Sequence, residues 1–386
     1  MNRRLSLRQL NRATLARQGL LAPLDAPTTA EAVMAVGSLQ AQHPEWPPVA
    51  LAARTSGAGY AALPQALEDH SVVRAALMRI TVHVVAAADF WPMSTLAQPL
   101  RHLQFRSLFK ADPLDSPLGR RLSEGHAAVR LALREQPLRI RDMVAIMRAE
   151  LPDLAEDPHR RYWRHIAATI PLVHVPFDGE GYGRSRYALA EEWVGPSPAG
   201  LDEGAALIHL AERYLAAFGP ASVDDLMAYA GRRGSPERWH AAVATLDDRI
   251  ERFVDQDGQE LLDLVDAPRP AGHVVAAPRL LARWDSLLLS HAPARRQRVI
   301  AEEHRSAIYT RNADVLPTFL LDGFVAGTWD LERQTDAARL VLRPLGPMSP
   351  ASQAALEAEA DRMLTAIAPE VAQRAVITVT SDRLPR

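Results

Sequence analysis

The chain has 386 residues, of which 48% are apolar. That is too long for one typical domain and enough to bury two or three cores. It contains no cysteine, which excludes disulfides, thiolate zinc sites, iron–sulfur clusters and cysteine nucleophiles. The formal charge of -2 is unevenly spread: residues 1–187 carry 23 basic and 17 acidic side chains, the remainder 21 and 29. The front half therefore either faces a polyanion or has an ordinary solvated surface. Lys110 is the one lysine among 44 cationic side chains; the rest are arginines, whose forked guanidinium groups can hold phosphates bidentately. No apolar run approaches the ~20 residues needed to cross a bilayer, and residues 1–17 lack the apolar stretch of a signal peptide, so a soluble, cytoplasmic protein is expected.

Apolar residues recur at helical spacing over 5–21, and a second helix is predicted from Thr28 through Val33 and Val36 to Gln42, stopped by Pro44, Pro47 and Pro48. A short helix over 60–70 and two strands within 72–88, turning near Arg79–Thr81, complete a helix-helix-helix-hairpin order. The pattern recurs with helices over 119–134, 140–150 and 159–169 and a hairpin over 172–189 turned by Asp178-Gly179-Glu180-Gly181. A third pass has helices over 201–218, 222–230 and 235–246, then strands at 250–254 and 260–264 around Asp257-Gly258. The passes share an order of elements without obvious sequence identity. From residue 273 the texture changes to strands, expected at 273–276, 298–300, 308–310, 318–321, 324–329, 339–344 and 375–380, with one helix over 349–366 and a tight turn at Asp322-Gly323. The expected class is α+β: winged-helix units over 1–118, 119–198 and 199–270, then an antiparallel β domain over 271–386 carrying one helix.

The sequence has no phosphate-cradling GxxxxGK[ST], no GxGxxG after a strand, no HExxH and no GxSxG, and its 13 histidines are scattered. Neither a cofactor nor a metal is expected. The informative segment is Leu39-Gln40-Ala41-Gln42, followed by His43-Pro44-Glu45-Trp46-Pro47-Pro48. Together with Leu5–Arg12, Leu77–His83, Trp284–His291, Asp314–Gly323 and Val325–Trp329, it resembles the AlkZ-type DNA glycosylases, over essentially the whole chain. The resemblance implies three tandem winged helices, a C-terminal β domain and a catalytic Gln-aliphatic-Gln motif at Gln40 and Gln42. A sister branch, the YcaQ type, has an acidic residue where this chain has Gln42. The Gln-Ala-Gln spelling is similar to the branch that removes bulky N7-alkylpurines and opens interstrand crosslinks, often as self-resistance to a DNA-alkylating natural product.

The chemistry suits those residues. A purine alkylated at N7 is cationic and leaves as a neutral base, so no strong general acid is needed. What remains is to support an oxocarbenium-like sugar and hold water against its anomeric carbon. Glutamine can orient water through its carbonyl and amide groups, although it is too weak a base to deprotonate it beforehand. Two glutamines that merely cap a helix are the plain alternative.

Arg79, Thr81 and His83 alternate on an expected strand and so share a face, as phosphate contacts, as lining of a lesion site or as the polar side of a wing. Arg160, Arg161 and Arg164 lie on a basic-aromatic helix with Tyr162, Trp163 and His165. Arg295, Arg296 and Arg298 crowd an expected turn between strands, where they either enter a DNA groove or are solvated. Trp46 and His43 are candidate lesion contacts beside the glutamines. The expected partner is double-stranded DNA containing alkylated purines, bound by a monomer in an open cleft with no membrane and no obligate protein partner. The rival is a non-catalytic winged-helix regulator or resistance protein, a class that usually dimerises on two half-sites.

Overall fold

Helices and sheets alternate along the chain much as the hydrophobic spacing predicts. The structure, a computed structural model, describes residues 3–110, 114–154, 156, 158–175, 185–231, 235–312 and 314–379. The expected turn at Asp178-Gly179-Glu180-Gly181 lies outside them. The chain divides into two units: Met1–Gln40, Glu45–Gln65 and Ala211–Arg386 form one, Ala41–Pro44 and Ala66–Leu210 the other. None of the described helices is long and apolar enough to cross a membrane.

In the first unit, Leu7–Arg17 starts at a capping box in which Ser6 and Gln9 satisfy each other's backbone N–H groups. Its buried polar side chains tie down distant segments. Arg17 pairs bidentately with buried Asp263 at 2.7 and 2.8 Å, and Asn11 Nδ2 donates to the carbonyls of Arg298 and Gly323, both at 2.8 Å. Arg12 holds Asp322 through its carboxylate and carbonyl. The Asp322-Gly323 turn is the expected tight hairpin, with φ of 46° and 82°, and the glycine there has no Cβ to strike Asn11 and Arg12. Arg54 and Asp285, both fully buried, pair through two hydrogen bonds of 2.9 and 2.7 Å. Much of the sequence that carries the resemblance in Leu5–Arg12, Trp284–His291 and Asp314–Gly323 thus holds the unit together.

The third pass keeps its expected order: Glu203–Phe218, Val223–Ala230, Pro236–Ala244, then strands Ile250–Val254 and Glu260–Leu264. The short strand Arg3–Arg4 adds to that hairpin in parallel, with Arg3 opposite Phe253. The C-terminal sheet runs in the order Arg279–Leu281, Thr318–Leu321, Phe324–Arg333, Ala337–Pro344, Gln373–Thr378. It is mixed and not antiparallel throughout, because Pro350–Ile367 carries the chain back and the last strand pairs in parallel. The expected strands at 273–276, 298–300 and 308–310 are absent. A 3-10 helix, Pro293–Arg298, and a short helix, Arg305–Ile308, occupy part of that stretch.

In the second unit, the hairpins of the first two passes share one sheet. Val72–Ala76 pairs with Val82–Ala86 on one side and, through Arg74 opposite His174, with Leu172–His174 on the other. Arg186–Leu189 and Leu138–Arg139 extend it. Helices Ala87–Phe109, His126–Glu135, Ile140–Glu150 and His159–Thr169 pack around a core that includes Phe105, Val129, Met143, Met147, Tyr162 and Ile166. The single helix expected over 119–134 is two, Pro117–Glu124 and His126–Glu135, divided at Gly125.

Candidate active site and DNA-contact residues

The second helix ends well before the glutamines. Thr28 and Glu31 form its capping box, Val36 caps its end, and Gly37 turns away with φ of 80°. The chain is then extended at Leu39–Gln40. Gln40 is half-buried on this strand, at the boundary where Ala41 begins the second unit. The helix expected to run to Gln42 is corrected accordingly, and neither glutamine caps its C-terminus.

Three hydrogen bonds fix the rest of the motif in the second unit. Ala41 N–H donates to the Val82 carbonyl at 2.7 Å, Val82 N–H donates to Gln42 Oε1 at 2.9 Å, and Arg74 Nε donates to the Ala41 carbonyl at 3.2 Å. Ala41 itself is fully buried, which accounts for a small apolar residue between two polar ones.

Half-buried Gln42 lines a cavity of about 530 Å³ within the second unit. The cavity walls also include Arg74, Arg101, Arg164, His174, Trp163 and Tyr187. Arg74 Nη1 reaches Ser185 Oγ at 3.4 Å, Arg164 Nη1 donates to Gln104 Oε1 at 2.9 Å, and Arg101 Nη2 donates to the Ala76 carbonyl. Burial lowers Arg101 to a pKa of about 10, and burial followed by the charge of Arg74 holds His174 well below the ordinary histidine range. No carboxylate is among the described lining residues. No cluster of histidine and carboxylate side chains among the described residues suits a metal ion.

The other expected contacts fare unevenly. Arg79, Thr81 and His83 do not alternate on one strand: Arg79 lies in the 3-10 turn Met78–Ile80 with φ of 54°, and only His83 is on Val82–Ala86. His83 is 1% exposed, its Nδ1 is 2.8 Å from the Thr81 carbonyl, and its Nε2 is 3.3 Å from Arg79 Nη2. Burial, then the charge of Arg79, lowers its pKa to about 3, so it is a neutral support for Arg79 and not a surface cation. On His159–Thr169, Arg160 is exposed, Arg161 lies over the Phe109 ring at 5.3 Å, and Arg164 faces the cavity. Tyr162 and His165 of the same helix are fully buried.

Arg295, Arg296 and Arg298 belong to a 3-10 helix instead of a turn between strands. Arg298 is buried and donates to the Pro220 carbonyl, while Arg295 pairs with Asp224 and Asp225 at 2.6 and 2.8 Å. Arg296 donates to the His291 carbonyl and covers the Tyr309 ring. Asp224 and Asp225 lie on Val223–Ala230, about 70 residues earlier in the chain, a separation that sequence spacing does not reveal. Trp46 meets Trp329 edge to face at 5.8 Å, a packing contact within the first unit, and His43 is half-buried in the bend after Gln42. Arg74 and Arg101 were not anticipated. The signal for Arg74 was available: an arginine inside the strongly apolar Val-Val-Arg-Ala-Ala strand must be buried with something to hold.

Comparison with curated proteins finds no match. Among solved structures, Streptomyces sahachiroi DNA glycosylase AlkZ is similar over 97% of this chain and 100% of its own, with a TM-score of 0.77 at 20% identity. At that identity the likeness establishes a shared fold. The family model described as DNA glycosylase AlkZ-like matches residues 33–366, a span that contains both glutamines, Arg74 and Arg101. By that match over most of its length, the chain belongs to the AlkZ-like DNA glycosylase family.

Proposed function

We propose that this protein is a monofunctional glycosylase that hydrolyses the N-glycosidic bond of N7-alkylated purines in duplex DNA, with Gln40 and Gln42 at the reaction centre. Its three passes of helices and hairpin act as tandem winged-helix units ahead of the C-terminal β domain. The observation that carries the reading is the placement of Gln42: its amide oxygen is held by Val82 N–H on the wall of a cavity whose described lining has neither carboxylate nor lysine. Two glutamine amides can orient water but cannot protonate a poor leaving group or form a Schiff base. That limits the site to bases already activated to depart, which N7-alkylation supplies. An amide oxygen has two lone pairs, so one that accepts from Val82 can also accept from a water at the anomeric carbon. The partial negative charge of the two glutamine carbonyls supports the developing sugar cation.

Bulky adducts and interstrand crosslinks are the proposed physiological lesions, in repair or in self-resistance to a genotoxic natural product. The protein is proposed to act as a cytoplasmic monomer without metal, cofactor or obligate protein partner. Incubation with duplex DNA containing N7-methylguanine should release the base and leave alkali-labile abasic sites. Tight binding to one palindromic operator without base release would instead make it a regulator.

A further inference from the structure

The segment that leads into Gln40 is gripped by a buried framework of hydrogen bonds. We propose that Tyr229, Ser286, Gln18 and the Arg54–Asp285 pair are positioning residues that set the direction in which Gln40 is presented to the reaction. This rests on the reading of Gln40 as part of a glycosylase site. All of these residues lie in the first unit. Tyr229 and Ser38 share a hydrogen bond between their hydroxyls at 2.8 Å, and Ser286 Oγ donates to the Ser38 carbonyl at 2.6 Å. Two residues upstream, Gln18 Nε2 donates to the Val36 carbonyl at 3.3 Å and to that of Ala217 at 3.0 Å. Arg54 joins the two grips: its Nη2 donates to Gln18 Oε1 at 3.2 Å and to Asp285 Oδ1 at 2.7 Å. Asp285 in turn adjoins Ser286 and caps its short helix by accepting from Leu287 N–H at 2.9 Å.

Each of these side chains is buried. Between the helix end at Val36 and the strand Leu39–Gln40 the chain turns through Gly37, where a Cβ would stand 3.2 Å from Ala217 and from the Phe218 ring. A peptide unit is planar, so holding the Ser38 carbonyl also holds Leu39 N. One residue, Leu39, itself buried, then separates the clamp from Gln40. A buried ion pair adds little net stability over apolar residues of similar shape, so stability alone is a weak reason for Arg54 and Asp285. Their hydrogen bonds are directional, and they converge with those of Tyr229 and Ser286 on residues 36–38, directly ahead of an amide that must meet a water and a sugar. Misplacing such a group by about 1 Å can cost on the order of a hundredfold in rate. The Trp284–His291 segment, which carries part of the resemblance, thereby acquires a role in aiming Gln40.

Single-turnover release of N7-methylguanine, with protein saturating and the temperature well below each variant's Tm, reads the chemical step apart from affinity and folding. Ser286→Ala and Tyr229→Phe should each slow release about three- to thirtyfold with DNA affinity unchanged. Arg54→Met combined with Asp285→Leu should melt close to the wild type, because both buried charges are removed together, yet release base about tenfold more slowly. In a Gln40→Ala background the same substitutions should have almost no further effect on rate, since a side chain that is absent cannot be misaimed. Ser286→Ala and Tyr229→Phe carry the test if the combined variant does not fold. Wild-type rates in the folded variants, or equal slowing with and without the Gln40 side chain, overturns the proposal and leaves the framework a packing role. A wild type that releases no base removes the glycosylase reading and this one with it, whereas base release by the wild type and by unimpaired variants removes this one alone.

Discussion

Replacing Gln42 by alanine should lower both stability and excision, and the two losses can be separated. The side-chain oxygen accepts from Val82 N–H at 2.9 Å in a half-buried setting. Losing a neutral hydrogen bond costs about 1 kcal/mol, rising towards ~3 kcal/mol where the donor is left buried without a partner. In a unit of this size each kcal/mol lowers Tm by about 2–4 °C. If the amide also positions water and supports the sugar cation, release of N7-methylguanine should slow by about ten- to a thousandfold, equivalent to about 1.4–4 kcal/mol in the barrier. Gln42→Glu is the control that keeps the hydrogen bond: its carboxylate can still accept from Val82, and Arg74, Arg101 and Arg164 line the same cavity. It should melt close to the wild type and keep substantial activity on small adducts. Single-turnover rates with protein in excess, alongside thermal melts, are the assay. A Gln42→Ala protein that melts earlier but excises at the wild-type rate would make Gln42 a strand clip and refute the catalytic assignment.

Gln40→Ala should slow base release, and the double variant should be far less impaired than the product of the two single effects, because groups acting on one water are not additive; single-turnover kinetics decide. Arg54→Met leaves Asp285 buried and unpaired, so denaturant titration should show about 3–5 kcal/mol of destabilisation, largely recovered when Asp285→Leu is added. His83, His126 and His291 have pKa values lowered to about 3, in each case by burial first, and His174 is also well below its ordinary value. The unfolded chain takes up these protons near pH ~6.5, so stability is complete above that and falls as pH drops from about 6.5 towards 3. Melts that stay flat from about pH 7.5 down to about pH 5 would contradict this. Base release should persist in EDTA, and loss of activity restored by a divalent ion would reveal a metal requirement.

Several elements were legible because their causes are local. Ile140–Glu150 and His159–Thr169 have the bounds that amphipathic spacing predicts, and Ile250–Val254 with Glu260–Leu264 follow from the Asp257-Gly258 turn. Two helices that carry prolines have no counterpart among the expected elements. Trp46–Ala52 is a helix with prolines in its first turn, where a missing N–H costs nothing, and Ala87–Phe109 runs through Pro92 and Pro99. The early end of the helix before Gln40 was readable from Gly37, which sits where a left-handed residue closes a helix.

The sequence by itself determined the residue types of the motif, the absence of thiol chemistry and the order of most helices and strands, since composition and short-range periodicity are written in the chain. Only the tertiary structure decided which arginines are available for DNA. Arg12, Arg17, Arg54 and Arg298 look no different in sequence from Arg160, yet burial commits them to Asp322, Asp263, Asp285 and the Pro220 carbonyl, while Arg160 remains exposed. It also decided that Arg74 and Arg101 stand beside Gln42, because their partners, the Ala41 and Ala76 carbonyls, are 33 and 25 residues away in the chain. A charge's role is set by what folding places within reach of it, and separations of that length leave no periodic trace in the sequence.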